Sequence, residues 1–260
     1  MSRIHPTAVL DGDVQLADNV TLGPYVVVQG PVSIGSGTVV ESQTRLEGPL
    51  EIGCDNRISQ FCSIGAPPQD LKFKGEPTRL VIGDRNWIRE FTSIHRGTVG
   101  GGGLTRIGSD CLLMAYAHVA HDCQVEDHVI FANGATLAGH VTIGYRSTVG
   151  AFTGVHQFCR VGPYAFVGGY SVITRDALPF VKTVGERNHA GIYGINSIGL
   201  QRLGFPKERI ETLQRAYRTL FRSTSNLHKG LEQLKQQMPV EGDVKILVDF
   251  IESSKRGVIR

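Results

Sequence analysis

The chain has 260 residues, 41% of them hydrophobic and 20% charged, with a formal net charge of +3. That length suffices for one large domain or two small ones, and no apolar run approaches the length of a membrane span. Glycine is abundant, at 32 residues, against 7% aromatics, which favours many tight turns around a narrow core over a thick sandwich.

The stretch from Met1 to Pro6 has no apolar leader. Five cysteines, odd in number and without a CxxC pair, predict free thiols in a reducing, cytoplasmic setting. No transmembrane segment and no nucleic-acid partner is expected. Charge is spread unevenly: residues 205–260 hold 11 Lys/Arg against 7 Asp/Glu. A basic C-terminal segment can attract an acidic partner, and it can equally be a solvated helix surface.

From Ile4 a six-residue ruler runs along the chain. It passes through Leu10, Leu16, Leu22, Val28, Ile34, Val40, Leu46, Ile52, Ile58 and Ile64, all aliphatic. It breaks at 65–81, where its positions would be Asp70 and Glu76, and returns at Ile82, Ile88 and Ile94. A second break, 97–104, contains four consecutive glycines. Shifted by one residue, the ruler then continues from Ile107 through Leu113, Val119, Val125, Phe131 and Leu137 to Ile173.

A column of small residues follows four positions after each rung: Cys111, Ala117, Cys123, Val129, Ala135 and onward. Cys62, Cys111, Cys123 and Cys159 all lie in this column, which marks them as small core residues and not ligands or nucleophiles. No helix or simple alternating strand has a strict period of six. A parallel β-helix has one: three hexapeptides make a coil of about 18 residues, and coils stack about 4.8 Å apart. The two breaks read as loops projecting from a rigid scaffold, where function often sits.

After about Pro179 the ruler fades. Gly204-Phe205-Pro206 predicts a helix start. Ile210, Leu213, Tyr217, Leu220 and Phe221 recur at helical spacing; Leu227, Leu231, Leu234 and Met238 form a second stripe; Val244, Leu247, Val248 and Ile251 form a third, stopped near Gly257. The expected architecture is an all-β solenoid over 1–190 and a small helical domain over 191–260 that caps one end.

Within the solenoid, the segment AHVAHDC (117–123) places His118 and His121 on either side of inward Val119. Stacking by 18 residues sets Gly139 over His121, Gln157 over Gly139 and His140 over Asp122, with His156 beside Gln157. One polar patch over three coils results. Three readings compete for it. Imidazoles are good zinc ligands, as in a β-helix hydratase. Histidines can simply occupy an exposed edge of a non-enzymatic scaffold. A histidine can also act as general base near neutral pH, with Asp122 orienting it if a corner lets the two meet. Gly139, without a side chain, could then offer its N–H to an oxyanion.

The hexapeptide pattern resembles the hexapeptide-repeat acyltransferases, whose helix is left-handed. The segments QDLKFKGEPTRL (69–80), IHRGTVGGGGLTRIGSD (94–110), AHVAHDC, ANGATLAGH (132–140) and VHQFC (155–159) together resemble the bacterial UDP-N-acetylglucosamine O-acyltransferases of lipid A synthesis, over nearly the whole chain. The resemblance implies a left-handed parallel β-helix and a homotrimer with active sites between subunits. It implies transfer of a 3-hydroxyacyl chain from acyl carrier protein to the sugar 3-hydroxyl of UDP-N-acetylglucosamine, with no cofactor or metal.

By resemblance, His121 is the general base, Asp122 supports it and Gly139 supplies the oxyanion N–H. Asp70, Lys72, His118, His140, His156 and Gln157 contact substrate, and Asn196 and Arg202 hold the nucleotide end. Ile198 and Leu203 depart from the family pattern, which usually has an acidic residue and often a second arginine there. A related N-acyltransferase usually carries a uridine-binding domain before its repeats; here the ruler begins at Ile4. Acyl chain length is expected to depend on Gly169, 48 residues and under three coils beyond His121, a rise of about 13 Å. That glycine leaves a groove open for longer chains, or it only permits a tight corner.

Overall fold

The computed structural model describes residues 2–224 and 226–260. Three sheets of 11, 9 and 8 strands form the three faces of a solenoid, parallel throughout except for the last strand of the first, with each parallel strand paired to the one a coil further on. Leu113 pairs with Phe131, Phe131 with Val149, and Val149 with Val167, so the register is one 18-residue coil per step. These four rungs are fully buried, as are most of the ruler residues from Leu22 onward. Burying an aliphatic side chain contributes about 1.5–3 kcal/mol, and here every coil repeats it. Ile4 and Leu10, at 43% and 41% exposed, are exceptions, because their strands pair with a neighbouring coil on one side only among the described residues.

Corners turn the chain from face to face with one residue in the left-handed region. Tyr116, Asp122, His128 and His140 have φ of 63°, 60°, 58° and 62°. A non-glycine residue there costs on the order of 1–3 kcal/mol and needs surrounding contacts to hold it. Aromatic stacking supplies some: Phe61, Phe91 and Tyr116 stack along the corner between the first and second faces, with centroids 5.3 and 4.7 Å apart.

The two breaks in the ruler leave the solenoid at one and the same corner, between the second and third faces. Strand Ser63–Ala66 precedes the first, and strand Arg79–Ile82 follows it. Strand Ser93–His95 precedes the second, which contains a short 3₁₀ turn at Val99–Gly101 before strand Leu104–Ile107. The first loop, 67–78, is shorter than the expected 65–81, because backbone pairing with the neighbouring coils extends the strands into its ends; the second, 96–103, begins and ends one residue earlier than the expected 97–104.

The last parallel strand is Val181–Val184, and Gly191–Ile195 folds back antiparallel on it. Helices α1 (Ser197–Arg202), α2 (Lys207–Phe221), α3 (Leu227–Gln237) and α4 (Gly242–Glu252) follow. The three apolar stripes correspond to α2, α3 and α4; α1 is too short to show periodicity. Pro206 is the N-cap of α2, just outside it. Leu178, Phe180 and Val181 from the last coil share a core with Leu200, Leu213, Leu220, Leu234 and Leu247, so the helices cover that end of the solenoid. Helix α4 stops at Glu252, earlier than the expected Gly257. The tail returns to the coil instead, where Asp176 donates its N–H to Gly257 and accepts from Ile259 N–H.

Candidate active site

Of the histidines that the spacing brought together, His121, His140 and His156 lie on the corner between the second and third faces, and His118 lies in the second-face strand just before it. His121 follows strand His118–Val119, Gly139 follows Thr136–Leu137, and His156 follows Gly154–Val155. Gly139 sits directly against the His121 ring. A Cβ on Gly139 would lie 2.5 Å from His121 Cε1, so only glycine leaves that space for the imidazole.

The φ of 60° at Asp122 lets it meet its own neighbour. His121 Nδ1 is 2.7 Å from Asp122 Oδ2. A carboxylate can only accept, so Nδ1 carries a proton, and it is Nε2 that holds the lone pair whenever the ring is neutral. Asp122 is 5% exposed and is held from several sides. Thr98 donates its N–H to Oδ1 at 2.8 Å and its hydroxyl to Oδ2 at 2.6 Å. Thr105 Oγ1 accepts the Asp122 N–H at 2.7 Å. The glycine loop makes this possible: a Cβ on Gly101 would stand 2.0 Å from Asp122 Cγ.

The corner pattern pairs the N–H of Ala138 with Val155 O and that of His140 with His121 O. It leaves the Gly139 N–H without a backbone acceptor among the described residues. An N–H donor therefore stands beside the imidazole. A groove of about 550 Å³ runs over this edge, lined by His118, His121, Gly139 and His156 together with Gln69 and Arg187.

Electrostatics favour neutral rings around His121. Burial pushes His118 down. His140 is also lowered, first by burial and then by His121, against the opposing pull of Asp122. His95, 5% exposed and packed edge-on to His118 at 5.0 Å, falls to about 4, mainly by burial and then by the neighbouring His118 and His121. Ser93 Oγ lies 2.8 Å from His118 Nδ1 and fixes that ring.

His121, Asp122 and His140 offer ligand atoms within 4.8 Å of one another. A zinc ion would need oxygen contacts of about 2.0–2.2 Å. Both Asp122 oxygens already accept close donors from Thr98 and His121. The His121 ring is thus held by a carboxylate whose two oxygens are both already engaged.

One chain brings together only part of the expected site. His118, His121, Gly139 and His156 line the groove, and Asp122 and His140 stand immediately beside it. Asp70 lies in the first loop, accepts the Lys72 N–H at 3.0 Å, and is near enough to act on His140. Lys72 and Gln157 are exposed. Asn196, the N-cap residue of α1, donates to Tyr164 O at 3.3 Å on a different corner, and Arg202 is exposed at the other end of that helix. Gly169 follows strand Phe166–Val167, on the corner between the first and second faces.

The structure adds residues that the spacing did not single out. Thr98 and Thr105 hold Asp122. Ser93 and His95 hold His118. Arg96 donates to Gly65 O at 2.9 Å and Gly48 O at 3.2 Å, pinning the root of the first loop. Register could have found Ser93, which pairs with His118 one coil on. Thr98 lies outside the repeat, so no period points to it.

Comparison with known proteins follows the same outline. Residues 176–259 match the second domain of UDP N-acetylglucosamine O-acyltransferase, and 13–48 and 104–139 match bacterial transferase hexapeptide repeats. The acyl-(acyl carrier protein)–UDP-N-acetylglucosamine O-acyltransferase of Halorhodospira halophila is 52% identical over 260 residues, covering 100% of both chains. That of Paraburkholderia phymatum is 51% identical over 264 residues, again covering 100% of both. Among solved structures, LpxA from Acinetobacter baumannii superposes with a TM-score of 0.94 at 44% identity, covering 99% of each chain. The Francisella novicida UDP-N-acetylglucosamine acyltransferase gives 0.94 at 35% identity, covering 99% of this chain and 94% of the other.

Proposed function

The chain belongs to the UDP-N-acetylglucosamine O-acyltransferase family, and from that premise we propose that it moves an (R)-3-hydroxyacyl chain from acyl carrier protein to the 3-hydroxyl of UDP-N-acetylglucosamine, the first step of lipid A synthesis. His121 Nε2 takes the hydroxyl proton as the sugar oxygen attacks the thioester carbonyl. The Gly139 N–H donates to the developing oxyanion. The tetrahedral intermediate then collapses with loss of the carrier thiolate, which recovers the proton from the imidazolium. Asp122 orients the ring and stabilises its charged form. The observation that carries this reading is the 2.7 Å contact between His121 Nδ1 and a buried, fully engaged Asp122, with Gly139 against the same ring.

His118, His140, His156 and Gln157 contact substrate from the same corner, joined by Asp70 and Lys72 from the first loop. Asn196 contacts another corner and Arg202 stands at the far end of α1, which supports a homotrimer in which a neighbouring copy completes the site at the nucleotide end. The basic segment 205–260 suits an acidic carrier protein. A cytoplasmic location fits the free cysteines; among the described residues no helix is long and apolar enough to cross a membrane.

His121→Ala tests the reading. Its loss should lower kcat by about 10²–10⁴-fold with trimer and fold unchanged. Near-normal turnover would sink the assignment. Lys72→Ala and Arg202→Ala should instead raise KM with little change in kcat, because both cations meet substrate in ground and transition state alike. A fall in kcat at constant KM would redraw either role.

A further inference from the structure

The C-terminal tail reaches the groove. Val258 is buried in the helical core and Ile259 in the solenoid core, so the tail is clamped between the two. Asp176 fastens it. Its backbone pairs with Gly257 and Ile259, and its carboxylate accepts from Ser254 Oγ at 2.8 Å and Arg160 Nε at 3.0 Å. This clamp carries Arg256 to His156, where Arg256 Nη2 stands 3.4 Å from His156 Nδ1. The same Nδ1 is 3.2 Å from the carbonyl oxygen of Gln157.

Nδ1 cannot serve both neighbours at once. A guanidinium only donates and a carbonyl only accepts. With a lone pair, Nδ1 accepts from Arg256 and the ring proton sits on Nε2. With the proton on Nδ1, it donates to Gln157 and Nε2 becomes an acceptor. The doubly protonated ring would face a guanidinium of like charge. His156 lines the groove, and Nε2 is its ring nitrogen without a protein partner among the described residues.

We infer that Arg256 is a positioning residue for His156. It selects the Nε2–H tautomer, so that this histidine meets substrate as a neutral hydrogen-bond donor, in contrast to His121, whose Nε2 is an acceptor. Two histidines on one edge thus present opposite polarity, each set by the partner at its own Nδ1: a carboxylate at His121, a guanidinium at His156. The functional part of this inference rests on the acyltransferase reading; the tautomer itself does not.

Long-range ¹H–¹⁵N correlation spectra of the imidazoles, on the intact protein without substrate, decide the tautomer. Wild type should show His156 protonated at Nε2. Arg256→Met should shift it toward Nδ1–H, and Arg256→Lys, which restores a cationic donor, should return it at least in part. Kinetically, Arg256→Met should raise KM about 3- to 10-fold, the scale of one hydrogen bond, with the Lys variant intermediate. His156→Gln places an N–H where Nε2–H stood and needs no tautomer, so adding Arg256→Met to it should change little further. An unchanged tautomer in Arg256→Met overturns the inference whatever the activity, and so do fully additive effects in the double variant. Near-normal turnover in His121→Ala bears on the acyltransferase reading alone.

Discussion

At the scale of single residues, the site is a set of imidazoles that differ only in what surrounds them. His121 has a carboxylate at Nδ1, His118 a serine hydroxyl, His156 a guanidinium, and His95 has a buried Nδ1 with no hydrogen-bond partner among the described residues. His95 makes a measurable prediction. Its folded value of about 4 lies below the ordinary 6.5. Between those values the unfolded chain binds a proton that the folded chain refuses, so stability is complete above pH 6.5 and falls as pH drops toward 4. His118 and His140 are shifted in the same direction and add to the fall. His95→Gln should make the loss between pH 7.5 and 4.5 shallower, by on the order of 2–3 kcal/mol, in urea unfolding at the two pH values. Equal slopes in wild type and variant would show that His95 is not held neutral by the fold.

At the scale of elements, the glycine loop is the part that converts an aspartate on a corner into a fixed support. Thr98 precedes the 3₁₀ turn Val99–Gly101 and donates twice to Asp122, while Gly101 passes over the carboxylate. Gly101→Ala would drive a methyl carbon into Asp122. We expect a loss of about 1–3 kcal/mol of stability, as for overpacking, together with a fall in kcat as the His121 contact is displaced. Gly100→Ala is the matched control, since a Cβ there meets nothing within 4 Å. It should behave like wild type. Equal damage from both variants would mean that the loop needs glycine for backbone freedom and not for room above Asp122. Arg96 does the corresponding work for the first loop, reaching Gly48 and Gly65 and lying over the Phe73 ring at 5.6 Å.

At the scale of the whole molecule, the solenoid distributes the expected site residues over more than one edge. His121, Asp122 and both loops share the corner between the second and third faces. Gly169 stands on the corner between the first and second, and Asn196 contacts a third. A trimer that brings a foreign edge against His121 would reunite them. Gly169→Met tests both the length ruler and the shared site. A Cβ there comes within 3.1 Å of Ala151 O, a close but outward-facing contact, so the chain should still fold. In protein shown to be trimeric by sedimentation, the variant should prefer shorter 3-hydroxyacyl donors than wild type. An unchanged preference in a folded, trimeric variant places the ruler elsewhere.

The sequence by itself determined the coil, because a strict period of six with a large and a small column can be buried in only one way, and it placed Gly139 over His121 by counting alone. It also located the two loops and the three main helices, since loss or change of period is local information. Three rungs, Ile82, Ile88 and Ile94, separate the two breaks, so counting also sets both loops on one corner. The sequence did not reveal that Thr98 and Gly101 close over Asp122, or that Arg256 comes back 100 residues later to His156. Those contacts join segments with no common repeat, so no spacing encodes them. They exist because the closed coil fixes every corner in space, and side chains far apart in the chain then meet within hydrogen-bonding distance.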